Sequence, residues 1–140
     1  GRLFPIQVNK NLLLLDDTYN ANVDSLQAAI DVLKGYDAFR ILLVGDMKEL
    51  GEDSLKCHRQ VGEHAKQAKL DLVLSYGTES AVISEAVLGK HFTDKAELTA
   101  YALDIIKQKL QENQKVVVLA KGSRSMKMEE TIYSLKDSLC

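Results

Sequence analysis

Lys115-Val116-Val117-Val118-Leu119-Ala120, followed at once by Lys121-Gly122-Ser123-Arg124-Ser125, is the stretch that decides the fold. Five apolar residues in succession, three of them β-branched, leave no polar face, as a strand buried on both sides of a parallel sheet requires. The abrupt change to a basic loop with glycine and serine marks the carboxyl end of that strand. Residues 12–16, 40–44 and 72–75 show the same near-continuous apolar character and read as further inner strands. Residues 3–8 read as a weaker edge strand, and His91-Phe92 as a very short one.

Helical periodicity fills the gaps. Leu26, Ala29, Ile30 and Leu33 recur on one face behind a capping box assigned to Asp24 with Gln27, and that helix ends near Gly35. Val61, Ala65 and Ala68 mark a second helix, and residues 79–88 a third. Leu98, Ala102, Ile105 and Ile106 mark a fourth behind Asp94 and Glu97, and Met128, Ile132, Leu135 and Leu139 a fifth. Strands alternating with helices predict an α/β fold with a parallel sheet. No repeat, low-complexity tract or linker interrupts residues 1–140, which read as one domain.

Composition narrows the function. A net charge of −2 from 18 basic and 20 acidic side chains gives no broad attraction to nucleic acid or to an anionic membrane. The longest apolar runs have strand length, far short of the ~20 residues that span a bilayer. Two cysteines, Cys57 and Cys140, form no disulfide framework and no metal pattern with the histidines, which fits a reducing cytoplasm. The opening Gly1-Arg2-Leu3-Phe4-Pro5 reads as an internal position of a longer chain rather than as a leader peptide.

Ligands of open parallel sheets bind beyond the carboxyl ends of the strands. The residues placed there are Asp16-Asp17-Thr18-Tyr19-Asn20-Ala21-Asn22, Gly45-Asp46-Met47, Tyr76-Gly77, and Lys121-Gly122-Ser123-Arg124-Ser125. In the first loop, a carboxylate can accept from both hydroxyls of a ribose, and amides can match the donor and acceptor edge of a base or peptide. Asn20, Asn22 and Asp24 also have the chemistry of turn and cap residues; Asp24 is read as the cap, and Asp17, Asn20 and Asn22 as facing a ligand. In the last loop, Arg124 can grip a carboxylate through two parallel hydrogen bonds, and the start of the following helix favours anions. His58, His64 and His91 read as structural or surface groups. No GxxxxGK[ST] or GxGxxG motif occurs, and no nucleophile stands with a base.

The three loops in this order, together with Glu49-Leu50-Gly51-Glu52 and Met128-Glu129-Glu130, resemble the C-terminal domain of the Mur ligase family, in particular its D-alanyl-D-alanine-adding branch. Val23 departs from the family, which usually shows proline there. The resemblance implies a Rossmann-like three-layer αβα sandwich with a mostly parallel sheet of about six strands. It implies an ATP-dependent ligase that joins D-alanyl-D-alanine to UDP-N-acetylmuramoyl-tripeptide through an acyl phosphate. ATP and Mg2+ would be held largely by a P-loop and metal ligands in a central domain. Asp17, Tyr19, Asn20 and Asn22 would contact the nucleotide, and Asp46, Lys121, Ser123 and Arg124 the substrate. Its partners would be the N-terminal and central domains of the same cytoplasmic, monomeric enzyme, with no nucleic acid and no membrane, and the domain alone would be inactive.

Two other classes fit parts of the pattern. A phosphoacceptor receiver domain also has an acidic pair after its first strand and a lysine after its last, but it needs a phosphorylatable aspartate where Leu74-Ser75-Tyr76 stands. A plain nucleotide-binding module is the other.

Overall fold

The computed structural model describes residues 3–140; Gly1 and Arg2, where the family resemblance begins, lie outside the described residues. The elements in chain order are β1 (Phe4–Asn9), β2 (Leu12–Asp16), α1 (Val23–Lys34), β3 (Phe39–Gly45), α2 (Ser54–Ala68), β4 (Leu72–Tyr76), α3 (Ala81–Ala86), β5 (Lys90–Phe92), α4 (Lys95–Gln111), β6 (Val116–Lys121) and α5 (Glu129–Leu139). Short 3-10 turns at Gly51–Asp53 and Arg124–Met126 lead toward α2 and α5. The six strands form one sheet in the order β1-β2-β6-β3-β4-β5. β1 runs antiparallel to β2, and every other pairing is parallel.

The unbroken apolar runs follow from burial on both faces. On β6, Val116, Val118 and Ala120 face the cluster built with Leu98, Ala102 and Ile106 of α4 and Ile132 and Leu135 of α5. Val117 and Leu119 face the cluster built with Leu26, Ile30 and Leu33 of α1, Val61 and Ala65 of α2, and Ile83 of α3. Ile41 and Leu43 against Leu42 and Val44 divide β3 in the same way. Each apolar side chain therefore has a helical layer to pack against, and a polar residue on either face would be stranded. Among the described residues no helix is long and apolar enough to cross a membrane.

The strand readings hold to within a residue or two, and the helix starts needed correction. Asn22, not Asp24, caps α1: its side chain accepts from the Ser25 amide at 2.8 Å while the Ser25 hydroxyl accepts from the Asn22 amide at 2.9 Å. Asp24 sits exposed in the first turn, where its charge favours the helix dipole. Asp94 does cap α4, accepting from the Ala96 amide at 2.9 Å. The third helix is shorter than the expected 79–88, because the Gly89 amide closes onto the Ser84 carbonyl at 2.7 Å and Leu88 takes a left-handed conformation with φ 57°.

β1 carries the chain's one proline, Pro5, and its register against β2 shifts between Gln7 and Asn9.

Asn22→Ala is expected to lower stability by about 1 kcal/mol, the usual worth of a side-chain N-cap. Asp24→Ala is expected to lower it by clearly less. Denaturant unfolding of the two variants decides the matter, and a larger loss at Asp24 would make it the cap after all.

Candidate functional site

The parallel strands β2, β6, β3 and β4 end along one rim, and the chain leaves β2 toward one face of the sheet and β6 toward the other. Such a divergence opens a crevice at the carboxyl ends. Backbone contacts close the rim into a single frame. The Asp17 amide donates to the Ala120 carbonyl at 3.1 Å, and the Ser123 amide to the Asp46 carbonyl at 2.9 Å. Gly45 and Gly122 let β3 and β6 approach here: a Cβ on Gly122 would lie 3.0 Å from the Gly45 Cα and 3.1 Å from Met128 Cγ.

Lys121, at the end of β6, is 1% exposed. Its ammonium donates to the Asn20 carbonyl at 2.8 Å and, more weakly, to the Asp17 carbonyl at 3.4 Å. It also lies 3.2 Å from Asp17 Oδ1, which is an ionic contact without hydrogen-bond alignment. A buried ammonium is tolerated only when paired, so these oxygens draw residues 17–20 down onto the end of β6.

Asp46 is also turned inward, 1% exposed. Its carboxylate accepts from the amides of Thr78 at 3.0 Å, Glu79 at 3.1 Å and Ser80 at 2.8 Å. Gly77, with φ 124°, has no room for a side chain because a Cβ would overlap that carboxylate. Burial alone pushes the Asp46 pKa up, but the amides of Thr78, Ser80 and Glu79 outweigh it and hold the carboxyl below its ordinary value. A second chain of bonds fixes the same loop. The Met47 amide donates to His58 Nε2 at 3.0 Å, and His58 Nδ1 meets the Ser54 carbonyl at 2.8 Å, a pairing that requires the Nδ1–H tautomer. The Ser54 hydroxyl donates to Glu79 at 2.7 Å, which completes a ring of contacts back to the Asp46 bracket.

Beside this frame lies an open cleft of about 470 Å³ lined by Phe4, Asp16, Thr18, Tyr19, Arg124, Glu129 and Tyr133. Phe4, Tyr19 and Tyr133 are exposed aromatics. Arg124 is 63% exposed and donates to Glu129 at 2.6 Å. That hydrogen bond and the Glu129 charge, with a smaller contribution from Asp16, raise the arginine's affinity for its proton. Among the described residues the cleft therefore offers an accessible guanidinium in a lining that includes three aromatic side chains, a combination suited to an anionic group attached to an organic body.

Lys121 and Asp46, both expected at the substrate, lie at the rim with their charged atoms buried: Lys121 against the Asn20 and Asp17 oxygens, and Asp46 against the amides of residues 78–80, with the Lys48 ammonium 3.5 Å away. The last loop also does not open directly onto an α-helix: a 3-10 turn and the left-handed Lys127, φ 50°, separate Ser123 and Arg124 from α5. Ser123 is buried, with its hydroxyl 3.1 Å from that of Ser125. Asp17 shows little surface because Oδ1 faces Lys121. Asn22 is exposed, but its carbonyl oxygen serves the α1 cap. Tyr19, Asn20, Asn22 and Arg124 are the expected residues exposed at the rim, and Asn20 Oδ1 accepts from the Ala21 amide at 2.8 Å. Sequence reading missed Glu129 as Arg124's partner, His58 as the support of Met47, and the 78–80 turn as the Asp46 ligand. None of these pairings follows a fixed spacing that a motif could reveal. The receiver reading fails here too, since Lys121 is enclosed and β4 ends in Ser75 and Tyr76.

Comparison with known proteins gives the family and the fold. The family model described as "Mur ligase, glutamate ligase domain" matches residues 1–124. A UDP-N-acetylmuramoyl-tripeptide–D-alanyl-D-alanine ligase of Haemophilus influenzae is 73% identical over 139 residues, covering 99% of this chain and 30% of that protein. A crystal structure of MurF from Acinetobacter baumannii superposes with a TM-score of 0.88 at 31% identity, over 98% of this chain and 30% of that one. The MurF ligase of Thermotoga maritima in complex with ADP superposes at 0.81 with 28% identity, over 99% of this chain and 31% of that one. The chain thus spans about 30% of the length of the curated relative.

The depressed pKa of Asp46 has a measurable consequence. A carboxylate held below its unfolded value, about 3.9, stabilises the fold at pH above that value, and the contribution disappears as pH falls through the folded pKa. Stability is expected to fall below about pH 4, and less steeply in Asp46→Asn, which starts from a lower plateau. Identical acid limbs in urea titrations of the two proteins would remove Asp46 as a source of the loss.

Proposed function

The chain belongs to the Mur ligase family, and on that basis we propose that it serves as the C-terminal domain of the ligase that joins D-alanyl-D-alanine to UDP-N-acetylmuramoyl-tripeptide in peptidoglycan synthesis. The observation that supports this reading is the convergence of three polar loops on one rim, fixed by Lys121 and Asp46, with Tyr19, Asn20 and Arg124 left facing outward. A rim of that kind is half of a pocket.

The division of labour follows from the residues present. Among the described residues no group of three His, Cys, Asp or Glu side chains could hold a metal ion, and the sequence has no P-loop. As membership of the family implies, ATP phosphates and Mg2+ are assigned to a central domain of the complete cytoplasmic enzyme, together with the ATP-driven activation of the tripeptide carboxylate. This domain supplies Asp17, Tyr19, Asn20 and Asn22 to the nucleotide. It supplies Arg124 to the carboxylate of the incoming dipeptide, whose amine then attacks the acyl phosphate. Closure of the rim over the central domain keeps water from that intermediate. The rigid frame suits this task, because orientation is lost when loops move by an ångström.

In the complete ligase, Arg124→Ala is expected to lower kcat/KM for D-alanyl-D-alanine by about tenfold or more, with the ATP KM little changed. Unaltered dipeptide kinetics would take Arg124 out of the site. Asp17→Asn is expected to raise the ATP KM several-fold. Asparagine is chosen because it fills the same volume and keeps a dipolar oxygen beside the Lys121 ammonium, which alanine would not, and a denaturant titration of the variant separates the lost charge's effect on folding from its effect on binding.

A further inference from the structure

Arg124 owes its place at the cleft to the residue five positions later. Glu129 is the first residue of α5, its side chain is 19% exposed, and its Oε2 accepts from Arg124 Nη1 at 2.6 Å. The other oxygen, Oε1, is buried and has no hydrogen-bond partner among the described residues. A carboxylate with one oxygen sealed in the protein cannot swing with solvent, so it fixes whatever its open oxygen holds.

The backbone between the two residues is shaped to bring them together. A 3-10 turn over Arg124–Met126 is followed by Lys127 in the left-handed region at φ 50°, a conformation non-glycine residues avoid. Lys95, at the start of α4, holds that strained residue in place by donating to the Lys127 carbonyl at 3.1 Å and to Glu130 at 2.6 Å. At the other end the loop is tied by the Ser123 amide to Asp46. The turn thus folds back on itself and lays the arginine against α5.

The consequence lies in the donors left over. Glu129 occupies Nη1, and no other hydrogen bond to the guanidinium forms among the described residues. The Nε and Nη2 edge remains, and that edge can present two parallel N–H groups to a carboxylate. A surface ion pair alone contributes little to stability, which makes folding a weak reason for this contact and orientation a better one.

We propose that Glu129 is a positioning residue that holds Arg124 with its Nε–Nη2 edge turned into the cleft, so that the guanidinium meets the carboxylate of the incoming dipeptide already oriented. This rests on the reading of Arg124 as the dipeptide's carboxylate ligand. Glu129 touches no reacting atom; it acts through the arginine.

The test is a double-mutant cycle in the complete ligase, with D-alanyl-D-alanine varied at saturating ATP and tripeptide. Glu129→Ala is expected to raise the dipeptide KM by about fivefold or more while the ATP KM stays unchanged, and to add nothing in an Arg124→Ala background. Glu129→Gln keeps an acceptor for Nη1 and is expected to recover most of the loss, which also guards against a folding defect in the alanine variant. If Arg124→Ala raises the dipeptide KM but Glu129→Ala does not, or if the two losses simply add, the positioning role is overturned while the arginine contact stands. Tighter dipeptide binding by Glu129→Ala would overturn it as well, since Glu129 would then be a competitor for the guanidinium. If Arg124→Ala itself leaves the dipeptide KM unchanged, both readings fall.

Discussion

A buried ammonium group organises this molecule's working edge. Lys121 ends β6, one of the two middle strands, and among the described residues the Asn20 and Asp17 oxygens compensate its charge, which has been taken out of water. An ammonium in that position loses several kcal/mol of hydration, so its partners are held tightly and removing one would leave an uncompensated charge. The loop after β2 is therefore fixed to the end of β6, and the loop after β3 is fixed to β6 through Ser123. The positions of Tyr19 and Asn20 are consequences of that arrangement.

The layers of the fold were readable because burial on both faces of a parallel sheet has an unambiguous signature. Val116 to Ala120 could occupy few other environments, and the helices announced themselves through Leu26, Ile30 and Leu33 or Leu98, Ala102 and Ile106. The rim was readable as a location for the same reason, since polar loops must follow apolar strands. The direction each charge takes was not. Lys121 and Asn20 are 101 residues apart, and Asp46 and Ser80 are 34 apart, so whether a side chain points inward depends on partners that no local pattern predicts. The α1 cap was misassigned for a milder reason: Asn22 and Asp24 are both good N-caps, and only the backbone geometry at Asn22 chooses between them.

Charge at the rim falls into two physical classes. Lys121 and Asp46 are buried, and each holds the loop that it bonds to. Arg124 is exposed and shares its charge with Glu129, so it can adjust by small rotations while keeping its orientation.

The two borders of the sheet carry a different consequence. β5 is three residues long, and β1 has Pro5, which lacks an amide proton, and a register shift near its end. An unpaired strand margin is ordinarily a template on which a neighbouring chain can extend the sheet. Here one margin is short and the other irregular, which makes both poor templates for a neighbouring chain.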